Sequence, residues 1–542
     1  MENKQGNSQF EILVICGLGL MFLFHLWDMF VIWLKQPKHH FIFALYIIIA
    51  LTFISLVLWF ITRATRERNQ AEAAVLKKTN DSVFCGMTDD KKEVWLKTNQ
   101  RAMHTQVVGT TNAGKTESVI IPLAVQDIHA GKGLLLIDGK SERGLLEKLW
   151  AYTVSAGREE DFRLVSFSSL EESHQFNPLI GGSAEEITER VFNSFEFENP
   201  HYRSLQYEVM GQVMRIFEAA KEVPTFQKLH RAISNPKSLE KLGDKTSDDE
   251  LKTWIQYYKS LSASERDTRT SGLLAAISHF SNGKTATLFN AEKNSFTIDE
   301  ALEKNLIVYF QLPVLLSPFL GKATGKLVLQ SLQAAVANRH RSKEKVQKFF
   351  SVFLDDFSEY LYPGFVSILN KSRSANVGVV FAHQALGDIT ALGNSVANTI
   401  LTNSNIKVFM RGNDPESAEY FSKVIGTNAT VKYTERQKHS ALSKHKSGDV
   451  SAREVEEFVV HPNSFKRELG LGEAMMVIPH ERGTRTVKIK FQKIDDIPAV
   501  ELPKVTHSVL KNIDLVLDGP EKQKASEESF GQSLLKNQET VA

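Results

Sequence analysis

The residues with the clearest chemical meaning form one short segment, Gly109 to Thr116. It reads Gly-Thr-Thr-Asn-Ala-Gly-Lys-Thr and fits the pattern G-x-x-x-x-G-K-[ST] at every defined position. In such a loop, backbone N–H groups surround phosphate oxygens, and the following helix adds its positive N-terminal end. We therefore predict that this segment binds a nucleotide; the alternative is a fortuitous glycine-rich turn.

Roles within the segment follow from its chemistry. Lys115 is predicted to reach the β- and γ-phosphates, and the Thr116 hydroxyl to sit on a bound Mg²⁺ ion. His104–Val108 can form a short strand entering the loop, and Glu117–Ile121 a helix leaving it before Pro122. The predicted cofactors are ATP and Mg²⁺. The residues predicted to line the nucleotide are Gly109, Thr110, Thr111, Asn112, Ala113, Gly114, Lys115, Thr116 and Glu117.

A second chemical signal is the apolar run 349–354, which ends in Asp355 and Asp356. Nucleotide hydrolysis needs a carboxylate near Mg²⁺ and a group that orients the attacking water. We predict that Asp355 holds Mg²⁺, directly or through water, and that Asp356 is the base. An ordinary strand followed by turn-forming aspartates has the same sequence, but the phosphate loop favours the functional interpretation.

The predicted base is unusually short. Many such ATPases have Asp-Glu at these two positions, and Asp356 lacks one methylene relative to glutamate. A misplacement of about 1 Å can cost about a hundredfold in rate. Glu359, three residues further on, is a fallback candidate for the base. The sequence therefore predicts that hydrolysis is slow or depends on a partner.

Three more residues complete the predicted catalytic set. Gln384 closes the run 379–383 and can sense the γ-phosphate or position water, or be an ordinary polar residue at a strand end. Arg373 and Arg411 are candidates for an arginine finger that reaches the site of a neighbouring subunit, because a guanidinium stabilises charge on the transferred phosphoryl group. Both arginines can also be ordinary surface residues.

The composition sets broad limits on the class of protein. At 542 residues the chain is too long for one small core and predicts two or three domains. Its 65 basic and 63 acidic residues give a net charge of +2, which argues neither for nor against nucleic-acid binding. Two cysteines exclude a disulfide framework and suit a reducing compartment.

Two apolar runs near the N-terminus, 12–34 and 41–62, are each long enough to span a bilayer. The short connection 35–40 predicts a helical hairpin with both ends on one side. A signal peptide does not fit, because the first run is too long and no cleavage site follows; a buried core hairpin is the alternative. By the positive-inside rule, the bulk of the chain is predicted to be cytoplasmic. The basic residues that follow the second run are Arg63, Arg66, Arg68, Lys77 and Lys78.

The remaining pattern predicts an α/β domain with a helical insertion. Residues 63 to about 95 are polar and predict a juxtamembrane helix and linker. From about 96, short apolar runs alternate with helical segments, which favours a parallel sheet flanked by helices. Residues 182–285 are polar and rich in helix formers, and predict an all-helical insertion. Its predicted core anchors are Tyr202, Trp254, Tyr257 and Tyr258.

One basic segment is the best local candidate for nucleic-acid binding. Residues 432–446 carry several lysines, an arginine and one tyrosine, and are predicted as a loop with little packing demand. Such a segment can follow a phosphate backbone without reading sequence. A mobile solvated loop is the alternative.

Taken in order, these features resemble the type IV coupling proteins, the TraD/TraG-like ATPases of conjugation and type IV secretion. The departures from that family are Asp356 where glutamate is usual, and Asn112-Ala113 where Gly-Ser is common. The local matches are 136–140, 176–179, 381–384, 403–410, 414–421 and 425–426.

The resemblance implies the fold class and the domain layout. The expected fold is α/β: a RecA-like P-loop NTPase domain with an inserted all-α domain, preceded by a two-helix transmembrane hairpin. The expected divisions are a hairpin domain 1–68 with helices at about 12–34 and 41–62, a first nucleotide-domain part 69–181, the insertion 182–285, a second nucleotide-domain part 286–515 and a disordered polar tail 516–542.

The resemblance also implies a function. A homo-hexameric, multi-pass ATPase of the bacterial inner membrane would receive single-stranded DNA with its relaxase, or effector proteins, and pass them to type IV secretion channel components. One rival is an FtsK-like DNA translocase, which should have more membrane spans and no large helical insertion. A secretion ATPase without its own hairpin is a second rival. A nucleotide-binding docking receptor with little hydrolysis is the third.

Overall fold

A computed structural model describes residues 27–28, 51–59, 81–197, 199–342, 347–440, 443–480 and 483–507. Contacts divide the chain into two units, Met1–Thr79 and Asn80–Ala542. Most of the predicted hairpin, and the predicted tail 516–542, lie outside the described residues. Among the helices that are described, none combines the length and the apolar character that crossing a bilayer requires.

The larger unit contains a sheet whose parallel strands are almost entirely buried. Strands buried on both faces have continuous apolar sequences, as in Gly133–Asp138 and Phe350–Asp355. The strands are β1 Ser82–Thr88, β2 Glu93–Lys97, β3 Thr105–Val108, β4 Gly133–Asp138, β5 Phe162–Ser166, β6 Ile307–Gln311, β7 Phe350–Asp355, β8 Val377–His383, β9 Ile406–Met410, β10 Thr427–Ser440, β11 Ser443–Phe458, β12 Glu473–His480 and β13 Gly483–Phe491.

Some helices pack on the two sides of this sheet, and a second group forms the segment between β5 and β6. They are α1 Thr98–Arg101, α2 Ile121–His129, α3 Arg143–Ser155, α4 Ala184–Phe192, α5 Pro200–Ala219, α6 Phe226–Ser234, α7 Pro236–Gly243, α8 Asp249–Ser260, α9 Ala263–Ser281, α10 Ile298–Lys304, α11 Pro318–Arg341, α12 Phe365–Ser372, α13 Gly387–Thr390, α14 Asn394–Asn403, α15 Pro415–Ile425 and α16 Pro462–Arg467.

The main sheet has eleven strands in the order β2-β1-β13-β12-β9-β3-β8-β7-β4-β6-β5. From β9 to β5 all neighbours are parallel, so the carboxyl ends of these strands lie along one edge. The register pairs Val108 with His383 and Asp138 with Asp355. Because ligands of open α/β sheets bind at this edge, the topology gathers the predicted chemical residues there.

The antiparallel strands of the main sheet contradict one prediction. The sequence predicts a helix and linker over 63 to about 95; the part up to residue 80 lies outside the described residues, but 82–97 form the hairpin β1–β2, and β1 also pairs with β13. Val83 and Cys85 of β1 point into the core. Charged residues flank the hairpin, so its short pattern of apolar residues is difficult to recognise in the sequence. Gly86 is needed because a Cβ there would overlap the Lys490 carbonyl oxygen.

The helix after the phosphate loop also differs from the expectation. It begins with a π-helical turn at Lys115–Ile120 and continues as α2, so it does not end before Pro122. Pro122 lies directly after the π-helical turn, at the second residue of α2.

Between β5 and β6, the described residues from 184 to 281 contain helices and no strand. Their core is continuous with one face of the sheet, since Phe217 and Phe280 belong to the same cluster as Val165 and Phe310. The limits 182 and 285 remain a prediction. Of the expected core anchors, Tyr258 is buried and stacks on Trp254. The other two were predicted wrongly, since Tyr202 and Tyr257 are 44% and 46% exposed.

The basic segment 432–446 is not a loop. Its described residues lie in β10 and β11, which pair with each other in a separate two-stranded sheet. Lys432 faces Arg453 in the register and forms an ion pair with Glu457 at 2.5 Å. A two-stranded ribbon can leave both faces in water, and this removes the hydrophobic alternation that indicates a strand.

Candidate nucleotide site

The phosphate loop 109–114 is fixed to the two strands that flank β3. The Gly109 N–H donates to the His383 carbonyl at the end of β8, at 3.3 Å. The Thr110 N–H and hydroxyl both donate to the Arg411 carbonyl after β9, at 2.9 and 3.2 Å. The loop therefore stands at the carboxyl edge of the parallel strands, held from both sides.

Left-handed backbone closes the loop. Asn112 and Gly114 have φ of +65° and +99°. A Cβ on Gly114 would lie 2.8 Å from the Ser118 hydroxyl and 3.3 Å from the Gly472 nitrogen. The Gly472 N–H in turn donates to the Ala113 carbonyl at 3.1 Å. The second glycine of the motif is therefore required by both its conformation and the close approach of its neighbours.

Lys115 is buried and folds over its own loop. Its Nζ donates to the Gly109 and Thr110 carbonyls at 2.6 and 3.2 Å. Burial lowers the pKa of this lysine, and Asp355 and Asp356 oppose that effect. The ammonium thus lies against the loop, where it would contact a phosphate group of a bound nucleotide.

Thr116 joins the loop to the acidic strand. Its hydroxyl donates to Asp355 Oδ2 at 2.5 Å, while Asp355 Oδ1 accepts the Asp356 N–H at 3.0 Å. Asp355 is buried at the end of β7. The predicted pair of a threonine hydroxyl and a strand-end carboxylate is therefore assembled.

A third carboxylate, Asp138, completes an acidic cluster. Carboxylate oxygens of Asp138, Asp355 and Asp356 lie within 4.8 Å of one another. Burial raises the pKa of Asp138 to about 6, with Asp355 adding to the effect. Burial and the charge of Asp356 also raise the pKa of Asp355. A divalent cation would relieve the repulsion between these three carboxylates. Because Mg²⁺ prefers oxygen ligands, the Thr116 hydroxyl and the Asp355 carboxylate fit this ion.

Comparison with known proteins identifies the family of this chain. The family described as "Type IV secretory system Conjugative DNA transfer" matches residues 62–508. This chain belongs to that family. The resemblance to type IV coupling proteins is thereby confirmed.

One curated coupling protein matches this chain at low sequence identity. The type 4 coupling protein DotL of Legionella pneumophila subsp. pneumophila (strain Philadelphia 1) is 21% identical over 397 residues, which are 62% of this chain. The chain spans about half the length of that curated relative, 50%.

Solved structures of the plasmid coupling protein TrwB share the fold. The complex with the GTP analogue GDPNP has a TM-score of 0.55 at 14% identity, covering 80% of this chain and 95% of TrwB. The complex with ADP and Mg²⁺ gives 0.55 at 14% identity, with 79% and 93% covered. The fold of this coupling protein is thus a TrwB-like α/β P-loop NTPase fold with a large parallel sheet.

Gln384 directly follows β8, and its side chain contacts the phosphate loop. Its Oε1 accepts from the Thr111 hydroxyl at 3.3 Å, and its N–H donates to Asp388 at 2.8 Å. Below it, His383 accepts from Gln106 and donates to the Ala385 carbonyl at 2.8 Å. Burial lowers the pKa of His383 to about 4, so the ring is neutral at physiological pH.

Other predicted residues lie apart from the acidic cluster. Glu359 is 42% exposed and forms an ion pair with Lys322 at 3.5 Å. Glu117 is exposed and pairs with Lys148 at 2.9 Å. Arg373 is exposed and lies just before the start of β8, which is the edge of the sheet opposite the phosphate loop. Arg411 reaches the loop through its carbonyl, and its side chain is partly exposed.

Sequence reasoning missed two residues of the site, Asp138 and Lys140. Lys140 Nζ lies 3.0 Å from Asp356 Oδ2. The available signal was the run 133–138, which ends a buried strand with an aspartate just as the run 349–355 does. Two such strands in a parallel sheet bring their terminal carboxylates to one edge.

Proposed function

We propose that this coupling protein binds ATP with Mg²⁺ at the phosphate loop and hydrolyses it to recruit DNA or protein substrates and move them into a type IV secretion channel. The observation that carries the proposal is the convergence at one sheet edge of Lys115, the Thr116–Asp355 pair and Asp356.

The side chains suit phosphoryl transfer to water. Lys115 is placed to neutralise phosphate charge, and Thr116 and Asp355 to hold Mg²⁺, which when bound offsets charge on the β- and γ-phosphates. Asp356 would accept the proton of the attacking water. Gln384, held over Thr111, would position that water or sense the γ-phosphate.

Several larger features belong to the same proposal. We propose a RecA-like nucleotide domain interrupted by a substrate-receiving helical insertion, a homo-hexamer in the inner membrane, and contact with channel components. Arg373 and Arg411 would then act in the site of a neighbouring subunit. TrwB was solved with ADP and Mg²⁺, which supports the same cofactors here.

Replacing Lys115 tests the proposal. Lys115→Ala is expected to abolish ATP binding in calorimetry and substrate transfer in cells, because the buried ammonium is the cation of the loop. Lys304→Ala, which removes an exposed ammonium paired with Glu300, is the matched control and should bind ATP normally. Normal transfer by the Lys115 variant would contradict the proposed function.

The short Asp356 favours one other candidate, a docking receptor in which bound ATP controls assembly and hydrolysis is minimal. An ATPase assay with and without single-stranded DNA separates the two. Stimulation by DNA supports the motor. ATP binding with negligible hydrolysis in both conditions supports the receptor.

A further inference from the structure

The turn after β4, residues 138–142, carries a lysine against the proposed base. Lys140 Nζ is 3.0 Å from Asp356 Oδ2, and the Asp356 side chain is only 10% exposed. Gly139 lets the two segments meet, since a Cβ at that position would lie 3.3 Å from Asp356 Cβ. The lysine therefore touches the carboxylate whose short reach makes its placement critical.

This turn is held by its own aspartate. Asp138 Oδ1 accepts the Lys140 N–H at 2.8 Å, and Oδ2 accepts the Glu142 N–H at 3.2 Å. The Ser141 hydroxyl donates to the Leu312 carbonyl at 2.7 Å, and the Leu312 N–H returns to the Asp138 carbonyl at 2.8 Å. The backbone that carries Lys140 is thus fixed at both ends.

A buried polar network on the next strands supports the turn from below. The Tyr309 hydroxyl of β6 donates to Asp138 Oδ2 at 3.1 Å, and the Gln311 amide donates to the Glu142 carbonyl at 3.0 Å. The Ser166 hydroxyl of β5 donates to Gln311 Oε1 at 2.8 Å. All of these side chains except Glu142 are fully buried. Satisfied buried networks fix geometry, so the outer strands β6 and β5 stiffen the turn.

We propose that Lys140 is a positioning residue that holds the short Asp356 carboxylate in the place from which it serves as the base. The proposal rests on the proposed function. The ammonium engages Oδ2 and leaves Oδ1 as the proton acceptor. Catalysis of phosphoryl transfer depends on positioning together with electrostatic stabilisation, so an anchor that fixes a short base compensates for the missing methylene.

Kinetics of substituted full-length protein test this role. Lys140→Gln is expected to lower kcat by about 100-fold, the cost of a misplacement of about 1 Å, with KM for ATP within about twofold. Lys140→Arg keeps a cation and should recover part of the rate. In an Asp356→Asn background, Lys140→Gln should cost nothing further, because the group that it positions is gone.

Lys322→Gln is the matched control. It removes an ammonium that pairs with Glu359, an acid three residues from Asp356, and should leave kcat unchanged. Hydrogen exchange in nucleotide-free protein gives a readout independent of turnover: the Asp356 and Glu359 amides should exchange several-fold faster in Lys140→Gln. An unchanged or raised kcat, or unchanged exchange, overturns the proposal.

The outcomes also separate the two proposals. Wild-type protein without ATPase activity would overturn the proposed function and this inference together. Lost activity in Asp356→Asn combined with normal activity in Lys140→Gln would overturn the inference alone.

Discussion

At the scale of single residues, the conformation of Asp356 is unusual. Its φ and ψ are +46° and +44°, a left-handed region that asparagine and aspartate tolerate better than other non-glycine residues. This turn directs its N–H back to Asp355 and its carboxylate to Lys140. Backbone of this kind persists only where its surroundings hold it, and it is concentrated at functional sites.

The base assignment gives a prediction at this scale. Asp356→Asn should lower the ATPase rate by about 10²–10⁴-fold, the usual contribution of a general base, because the amide cannot accept the proton. Glu359→Gln should change the rate little, since Glu359 pairs with Lys322 away from the acidic cluster. Steady-state hydrolysis by purified variants checks both. An unchanged rate in Asp356→Asn removes it from the mechanism, and a loss confined to Glu359→Gln would move the role there.

How far the sequence predicts this site depends on the kind of contact. Residues 109–116 and the pair Asp355-Asp356 follow patterns tied to neighbouring positions, so they are visible before the fold. Lys140 is not, because Asp-Gly-Lys is an ordinary turn until the register sets Asp138 beside Asp355. Arg373 lies at the opposite edge from the phosphate loop of its own chain, so its predicted role in the site of a neighbouring subunit stays a prediction.

At the scale of elements, a buried lysine on β9 stabilises the end of α14. Lys407 Nζ donates to the Leu401 carbonyl and to the Ser404 hydroxyl, at 2.5 and 2.8 Å. A cation suits the C-terminal end of a helix. Lys407 is nevertheless buried, and this burial lowers its pKa to about 7.

This burial makes stability depend on pH. Between pH 7 and 10.5 the unfolded chain keeps a proton that folded Lys407 has lost, so wild-type stability should rise with pH by up to about 1.4 kcal/mol per unit. Lys407→Met lacks this term. Its stability relative to wild type should therefore be highest below pH 7 and fall by pH 9, as measured by urea unfolding. Lys423→Met at an exposed site is the control, and a pH-independent difference for Lys407→Met would refute the prediction.

The strands that sequence reasoning missed lack the continuous apolar run of a buried strand. Strand β1 pairs with the distant β13, whereas β10 and β11 pair with each other and are rich in polar residues. Strands β4 and β7 were predictable because burial on both faces leaves an unbroken apolar run. Pairing between distant segments, such as Gly86 with Phe491, leaves no local pattern.

At the scale of the whole molecule, the sheet has two parts with different roles. The parallel strands from β9 to β5 carry the site at their carboxyl ends, while the antiparallel strands bring 82–97 and 473–491 together beside β9. Gly472, which precedes β12, bonds the phosphate loop directly. The antiparallel part therefore also shapes the nucleotide site.

Membrane topology supplies the prediction for the whole chain. The segment 51–59 of the second apolar run is helical with exposed apolar side chains, among them Phe53 and Trp59. Basic residues from Arg63 to Lys78 follow it, and the positive-inside rule predicts from them that the later residues are cytoplasmic. Protease added outside intact spheroplasts should spare everything after residue 63, as read by immunoblotting of a C-terminal tag. The same protease should digest it once detergent opens the membrane, and a periplasmic marker should be digested in both. Loss of the tagged fragment in intact spheroplasts would reverse the orientation and put the phosphate loop on the side without ATP.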